Sequence, residues 1–163
     1  MFARIRALGL AALFTAALAA PAVAFAGPPW ISIEYPVNPH DQSMRGAFLL
    51  VHIFHHSDPD ARPVEGTAEG IVNGERRSIK LEFTETSRTG VYALRRQWAT
   101  EGVWTLVIKG GATAVVELGA DGAIASVTVP SRQDRGWTIP TDVSMADIDK
   151  ALQARASALA RRD

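Results

Sequence analysis

Between residues 30 and 129 the apolar side chains return at every second position, in short stretches closed by turn-forming residues roughly every ten residues. A chain with this period extends, buries one face of each stretch, and has no room between stretches for crossover helices. It predicts eight strands, at 30–35, 47–55, 64–72, 75–83, 91–97, 103–109, 112–118 and 123–129. An antiparallel sandwich or small barrel accommodates them, and a βαβ fold does not.

Local details sharpen this pattern. Asn73-Gly74 tolerates the positive φ angles of a type I′ turn and predicts a hairpin between the third and fourth strands. In the fourth, Ile79, Leu81 and Phe83 point one way and Ser78, Lys80 and Glu82 the other. Trp104, Leu106 and Ile108 share a face in the sixth. The second is an almost continuous apolar run, Phe48 to Phe54, as expected of a central strand covered on both faces. Gly66 and Gly70 predict a bulge or an edge in the third.

The ends of the chain read differently. Residues 131–140 are polar and irregular apart from Trp137 and Ile139, and 131–143 read as a linker. Beyond it Met145, Ile148, Leu152, Ala156 and Leu159 recur at helical spacing. Ser144 caps the helix, with Asp147 in capping-box position, so 144–163 read as an amphipathic helix. At the other end, Arg4 and Arg6 precede an apolar run of about 14 residues, short of the ~20 that span a bilayer. Ala24-Phe25-Ala26 follows with the small-x-small pattern of a signal peptidase site. Residues 1–26 are therefore expected to be a cleaved signal peptide, which places the mature chain in the periplasm or outside the cell with no integral membrane segment.

Composition narrows the chemistry. Without Arg4 and Arg6, fifteen basic residues face seventeen acidic ones, a formal charge of −2. That balance provides no concentrated basic face and argues against nucleic acid as a partner. There are no cysteines, so disulfides, thiolate catalysis and thiolate metal sites are excluded.

The stretch Gly90-Val91-Tyr92-Ala93-Leu94, followed by Gly102-Val103-Trp104-Thr105-Leu106-Val107-Ile108, reads G-x-Y-x-L…G-x-W-x-L-x-I. It resembles the penultimate hairpin of bacterial immunoglobulin-like domains, including periplasmic YtkA-like and FixH-like domains and filamin-type repeats. The resemblance implies an all-β, immunoglobulin-like antiparallel β-sandwich of about seven to eight strands over 27–130, followed by the C-terminal α-helix. Tyr92 and Trp104 would enter one core from adjacent strands. Such sandwiches host many unrelated roles.

Two neighbourhoods are candidate sites. Three of the four histidines, His52, His55 and His56, lie within five residues, with Asp58 and Asp60 just beyond and His40 and Met44 before them. Clustered imidazoles suit copper or zinc, so His52, His55, His56 and Asp58 are the candidate metal ligands, although alternation along a strand sends His52 and His55 to opposite faces. The helix stripe, Met145, Ile148, Leu152 and Leu159, either packs on the chain's own domain with Trp137 as a bolt or docks on a partner such as an envelope protein. No Gly-x-Ser-x-Gly elbow or phosphate loop occurs. Arg76-Arg77 and Arg95-Arg96 read as surface doublets that pair with Glu69, Glu75 and Glu82. These features together point to an exported non-enzymatic binding or accessory module without a resident cofactor, the alternative being a periplasmic copper- or zinc-binding protein using residues 52–60.

Overall fold

A computed structural model of the protein describes residues 27–161; the signal-peptide reading of 1–26 falls outside them. Every expected strand forms. In chain order they are β1 (Trp30–Glu34), β2 (Leu49–His55), a two-residue β3 (Asp58–Pro59), β4 (Glu65–Val72), β5 (Glu75–Lys80), a three-residue β6 (Phe83–Glu85), β7 (Val91–Leu94), β8 (Val103–Lys109), β9 (Thr113–Leu118) and β10 (Ile124–Thr128). One sheet runs β1-β2-β7-β6, with β3 folded back onto β2. The other runs β10-β9-β8-β4-β5, and all pairings are antiparallel. The first sheet matches the A-B-E-D order and β9-β8-β4-β5 the G-F-C-C′ order of immunoglobulin-like sandwiches, with β10 added outside.

Alternation places the core between the sheets. Leu49, Val51 and Ile53 of β2 meet Trp104, Leu106 and Ile108 of β8 and Ala114, Val116 and Leu118 of β9. Asn73 (φ 51°) and Gly74 (φ 81°) make the expected positive-φ turn between β4 and β5. Tyr92 and Trp104 are both buried, but on facing sheets rather than adjacent strands, because β7 and β8 connect the two layers. The Tyr92 hydroxyl donates to the Arg62 carbonyl at 2.8 Å.

Two expectations about β4 and β5 change. Gly66 and Gly70 mark neither bulge nor edge, since β4 lies between β8 and β5 with unbroken register. Gly70 stands opposite Trp104, and a Cβ there would lie 2.4 Å from the indole Cε3. The glycine is needed because the ring lies over its backbone. The expected strand 75–83 divides at Leu81-Glu82, where the chain crosses between sheets. Gln97 holds that crossing: its Oε1 accepts from the Glu82 N–H at 2.9 Å and its Nε2 donates to the Glu82 carbonyl at 2.7 Å.

The segment read as a linker instead contains a separate two-stranded hairpin, β11 (Ser131–Asp134) and β12 (Trp137–Pro140). Its turn residues Arg135 (φ 49°) and Gly136 (φ 87°) are both left-handed, the geometry that suits a strand twist. Helix α1 (Met145–Leu159) follows, with the Asp147 N–H donating to Ser144 Oγ at 3.1 Å and the Ser144 hydroxyl to Asp147 Oδ2 at 2.7 Å. Among the described residues no helix is long and apolar enough to cross a membrane.

Candidate functional site

β2 ends in a turn whose central residues, His56 (φ 55°) and Ser57 (φ 73°), are left-handed without being glycine. This turn divides the candidate metal ligands. His52 lies on the outer face of its sheet, with Nε2 2.8 Å from Glu34 Oε2 on β1, and Arg88 approaches the same oxygen at 3.9 Å. His55, of opposite parity, lies at the end of the sandwich with Nε2 3.1 Å from the Gly27 carbonyl oxygen. His56 is carried round by the turn until its ring centroid is 4.3 Å from that of His55. Asp58 is exposed and faces His55 only in strand register.

The four-residue set His52, His55, His56 and Asp58 therefore does not form one coordination shell. Among the described residues, no three His, Cys, Asp or Glu side chains are placed to hold a metal ion. What stays together is His55, His56 and Gly27. Met44 is buried in an apolar patch with Leu50 and Val91 outside the first sheet, away from a ligand role. His40 is exposed.

Three of the four members of the helix stripe pack on the chain's own domain, the first of the two alternatives. Ile148 and Leu152 are buried against Val103 and Val107 on the outer face of the second sheet, with Ile71, Val115 and Leu159 around them. Helix α1 thus covers an outer face of the sandwich, which is why β8 is buried on both sides. These residues are not available to a partner. Met145 remains 45% exposed. Trp137, expected to bolt the helix down, is 60% exposed.

Beneath the helix runs a polar row that the sequence did not reveal. Ser126, Glu117, Thr105, Glu69 and Ser78 stand in register across β10, β9, β8, β4 and β5. Ser126 Oγ donates to Glu117 at 3.0 Å and Ser78 Oγ to Glu69 at 3.0 Å. The Glu69 side chain is 3% exposed and takes Arg76 at 2.8 Å, while Arg76 reaches Asp149 of the helix at 2.6 Å. Desolvation lowers the Arg76 pKa, but the two carboxylates reverse that and leave it raised.

Arg155 enters the same row from the helix. It donates to Thr105 Oγ1 at 2.8 Å, to the Trp104 carbonyl at 3.3 Å and to the Leu118 carbonyl. Burial lowers its pKa, partly offset by Glu117. It also lines a cleft of about 220 Å³ with Gly102, Leu118, Ala125 and Leu159. With its guanidinium bound to three oxygens, Arg155 serves as the pin that fastens α1 to the sheet.

The arginine doublets do not combine, because Arg76-Arg77 belongs to the second sheet and Arg95-Arg96 follows β7 of the first. Arg77 pairs with Glu75 at 2.5 Å. Arg96 donates to the Gly122 carbonyl at 2.8 Å and lies over Phe48 and Trp98, 5.0 and 5.4 Å from the ring centroids. Both doublets are therefore used within the fold. Among the described residues, the large apolar side chains that remain exposed are Tyr35, Val127, Trp137 and Met145, and Trp137 presents the largest area of the four. No protein-family model, curated protein or solved structure matches this chain.

Proposed function

We propose that the chain is an exported, non-enzymatic binding or accessory module of the cell envelope, related to the bacterial immunoglobulin-like domains that its 90–108 segment resembles. The observation that carries this reading is the exposed indole of Trp137, 60% accessible on a hairpin that joins neither main sheet. An isolated hairpin is marginal in water, and a solvent-facing Trp forgoes the burial that stabilises this side chain elsewhere. Trp and Arg are also the side chains that most often anchor protein interfaces, and Arg132 and Arg135 share the hairpin.

The polar residues support the same reading. His52 is engaged by Glu34, Glu69 by Arg76 and Ser78, and Glu117 by Ser126. These contacts hold strands and helix together instead of converging on a substrate.

The test is photo-cross-linking in intact cells. A photoreactive residue at Arg135, on the hairpin turn, should give a discrete adduct with one envelope protein, and Trp137→Ala should remove it. The same probe at exposed Lys80 should give none. Equal adducts from both positions, or none from Arg135, would overturn the proposal.

A further inference from the structure

The geometry points to a copper(II) site that comes into being only when the leader is removed, formed by the α-amine and carbonyl oxygen of Gly27 with the imidazoles of His55 and His56. It rests on the export and processing in that reading and is independent of the role proposed for Trp137. Cleavage after Ala26 converts the nitrogen of Gly27 from an amide, whose lone pair is delocalised, into an amine that can bind a metal. The amine and carbonyl oxygen of one residue close a five-membered chelate. That carbonyl oxygen already lies 3.1 Å from His55 Nε2. Two donors held cis at ~2.0–2.1 Å from one metal lie about 2.9 Å apart, so the spacing suits a shared ion. That ion would lie off the N···O line that the proton occupies, with the His55 ring turned to aim Nε2 at it.

The second imidazole is delivered by strain. Consecutive residues of a strand point to opposite faces, yet the His55 and His56 rings are 4.3 Å apart. The left-handed turn at His56 and Ser57 achieves this at positions where glycine and asparagine are favoured. Backbone conformations this unfavourable concentrate at functional sites.

The segment that carries the amine is itself held. Pro28 and Pro29 stiffen the segment before β1, and a Cβ on Gly111 would lie 2.8 Å from Pro29 Cβ, so Pro29 packs directly on that turn. Pro28 has a chemical consequence too. Its nitrogen carries no proton, so copper cannot displace an amide hydrogen there and extend its chelate along the backbone. The remaining positions around the ion are left to imidazole. Three nitrogens and one carbonyl oxygen, without a thiolate, match the tetragonal preference of copper(II), which also binds such donors most strongly among the divalent first-row metals.

The experiment uses the exported, processed protein, with its first residue established by N-terminal sequencing. Copper(II) is titrated against a competing chelator and followed by electron paramagnetic resonance. One ion per chain should bind with a submicromolar Kd and a nitrogen-rich tetragonal signal. Acetylation near pH 7 modifies the α-amine ahead of lysines, whose pKa is ~10.4, and should weaken binding at least about 100-fold without unfolding the protein. His55→Asn and His56→Asn should act alike, whereas His52→Asn should leave the titration unchanged. A first residue other than Gly27, an affinity unaffected by acetylation, or binding that survives loss of both histidines would each overturn the proposal.

Discussion

Leu152→Ala tests whether the C-terminal helix belongs to the domain or to a partner. Leu152 is 0% exposed and is enclosed by Val103, Val107 and Ile148. Truncation to alanine removes about 2.4 kcal/mol of transfer free energy at ~0.8 kcal/mol per methylene. The helix lies on the outside of the sandwich and can settle inward, so the residual cavity should be small. At ~24 cal/mol per Å³, about 40 Å³ of void adds about 1 kcal/mol. The expected loss is therefore ~3 kcal/mol, read as a lower urea midpoint at unchanged slope. Met145→Ala, at a position 45% exposed, should stay within about 0.5 kcal/mol. If the stripe existed for a partner, neither change would move the midpoint of the isolated chain. A Leu152→Ala loss below about 1 kcal/mol would refute the docking described above.

Other outcomes follow from contacts inside the sandwich. Gly70→Ala should destabilise by roughly 1–3 kcal/mol, because the new methyl group overlaps the Trp104 ring; an unchanged thermal midpoint would mean the indole lies elsewhere. Arg76→Met leaves the buried Glu69 carboxylate with Ser78 as its remaining donor and should cost about 2 kcal/mol, reduced from the fully buried case by the partial exposure of Arg76. Adding Glu69→Gln should recover much of that loss in a double-mutant cycle, and simple additivity would contradict the pairing. Burial, Glu85 and Asp60 raise the Tyr92 pKa, so a protonated Tyr92 favours the fold below the ordinary phenol range near 10 and that contribution is kept, not lost, until pH exceeds it. A group with a raised folded pKa loses its stabilising effect only as pH climbs through that value. Tyr92→Phe should therefore flatten the alkaline limb of the stability curve, and an identical limb would remove Tyr92 from the account.

The strands were legible because alternation and punctuation are local properties. Asn73-Gly74 declared its turn and Ser144 its helix cap. The crossing at Leu81-Glu82 was hidden, since Ile79, Leu81 and Phe83 keep one rhythm while both sheets face the same core. The β11–β12 hairpin was hidden for the opposite reason: its first arm, Ser131–Asp134, is wholly polar, so Trp137 and Ile139 alternate in the second arm without a partner pattern, and only Arg135-Gly136 signals a turn. Glu69 looked like surface because its slot faces outward from the sheet. It is buried by a helix about 80 residues further along the chain, which no local pattern conveys. The histidines looked clustered because they are close in sequence, but strand parity separates His52 from His55, and the turn then returns His56 to His55.

Trp137 provides the most direct measurement of the proposed role. Labelling with 5-fluorotryptophan gives four fluorine resonances, one for each Trp in the chain, and Trp137→Phe assigns the exposed one. In the purified protein that resonance should be sharp and sensitive to solvent isotope, while those of buried Trp98 and Trp104 are not. In intact cells exporting the labelled protein, a module bound through its hairpin should show the Trp137 resonance shifted and broadened out of proportion to the other three. A Trp137 resonance that stays sharp and solvent-exposed in the cell would contradict the binding-module account.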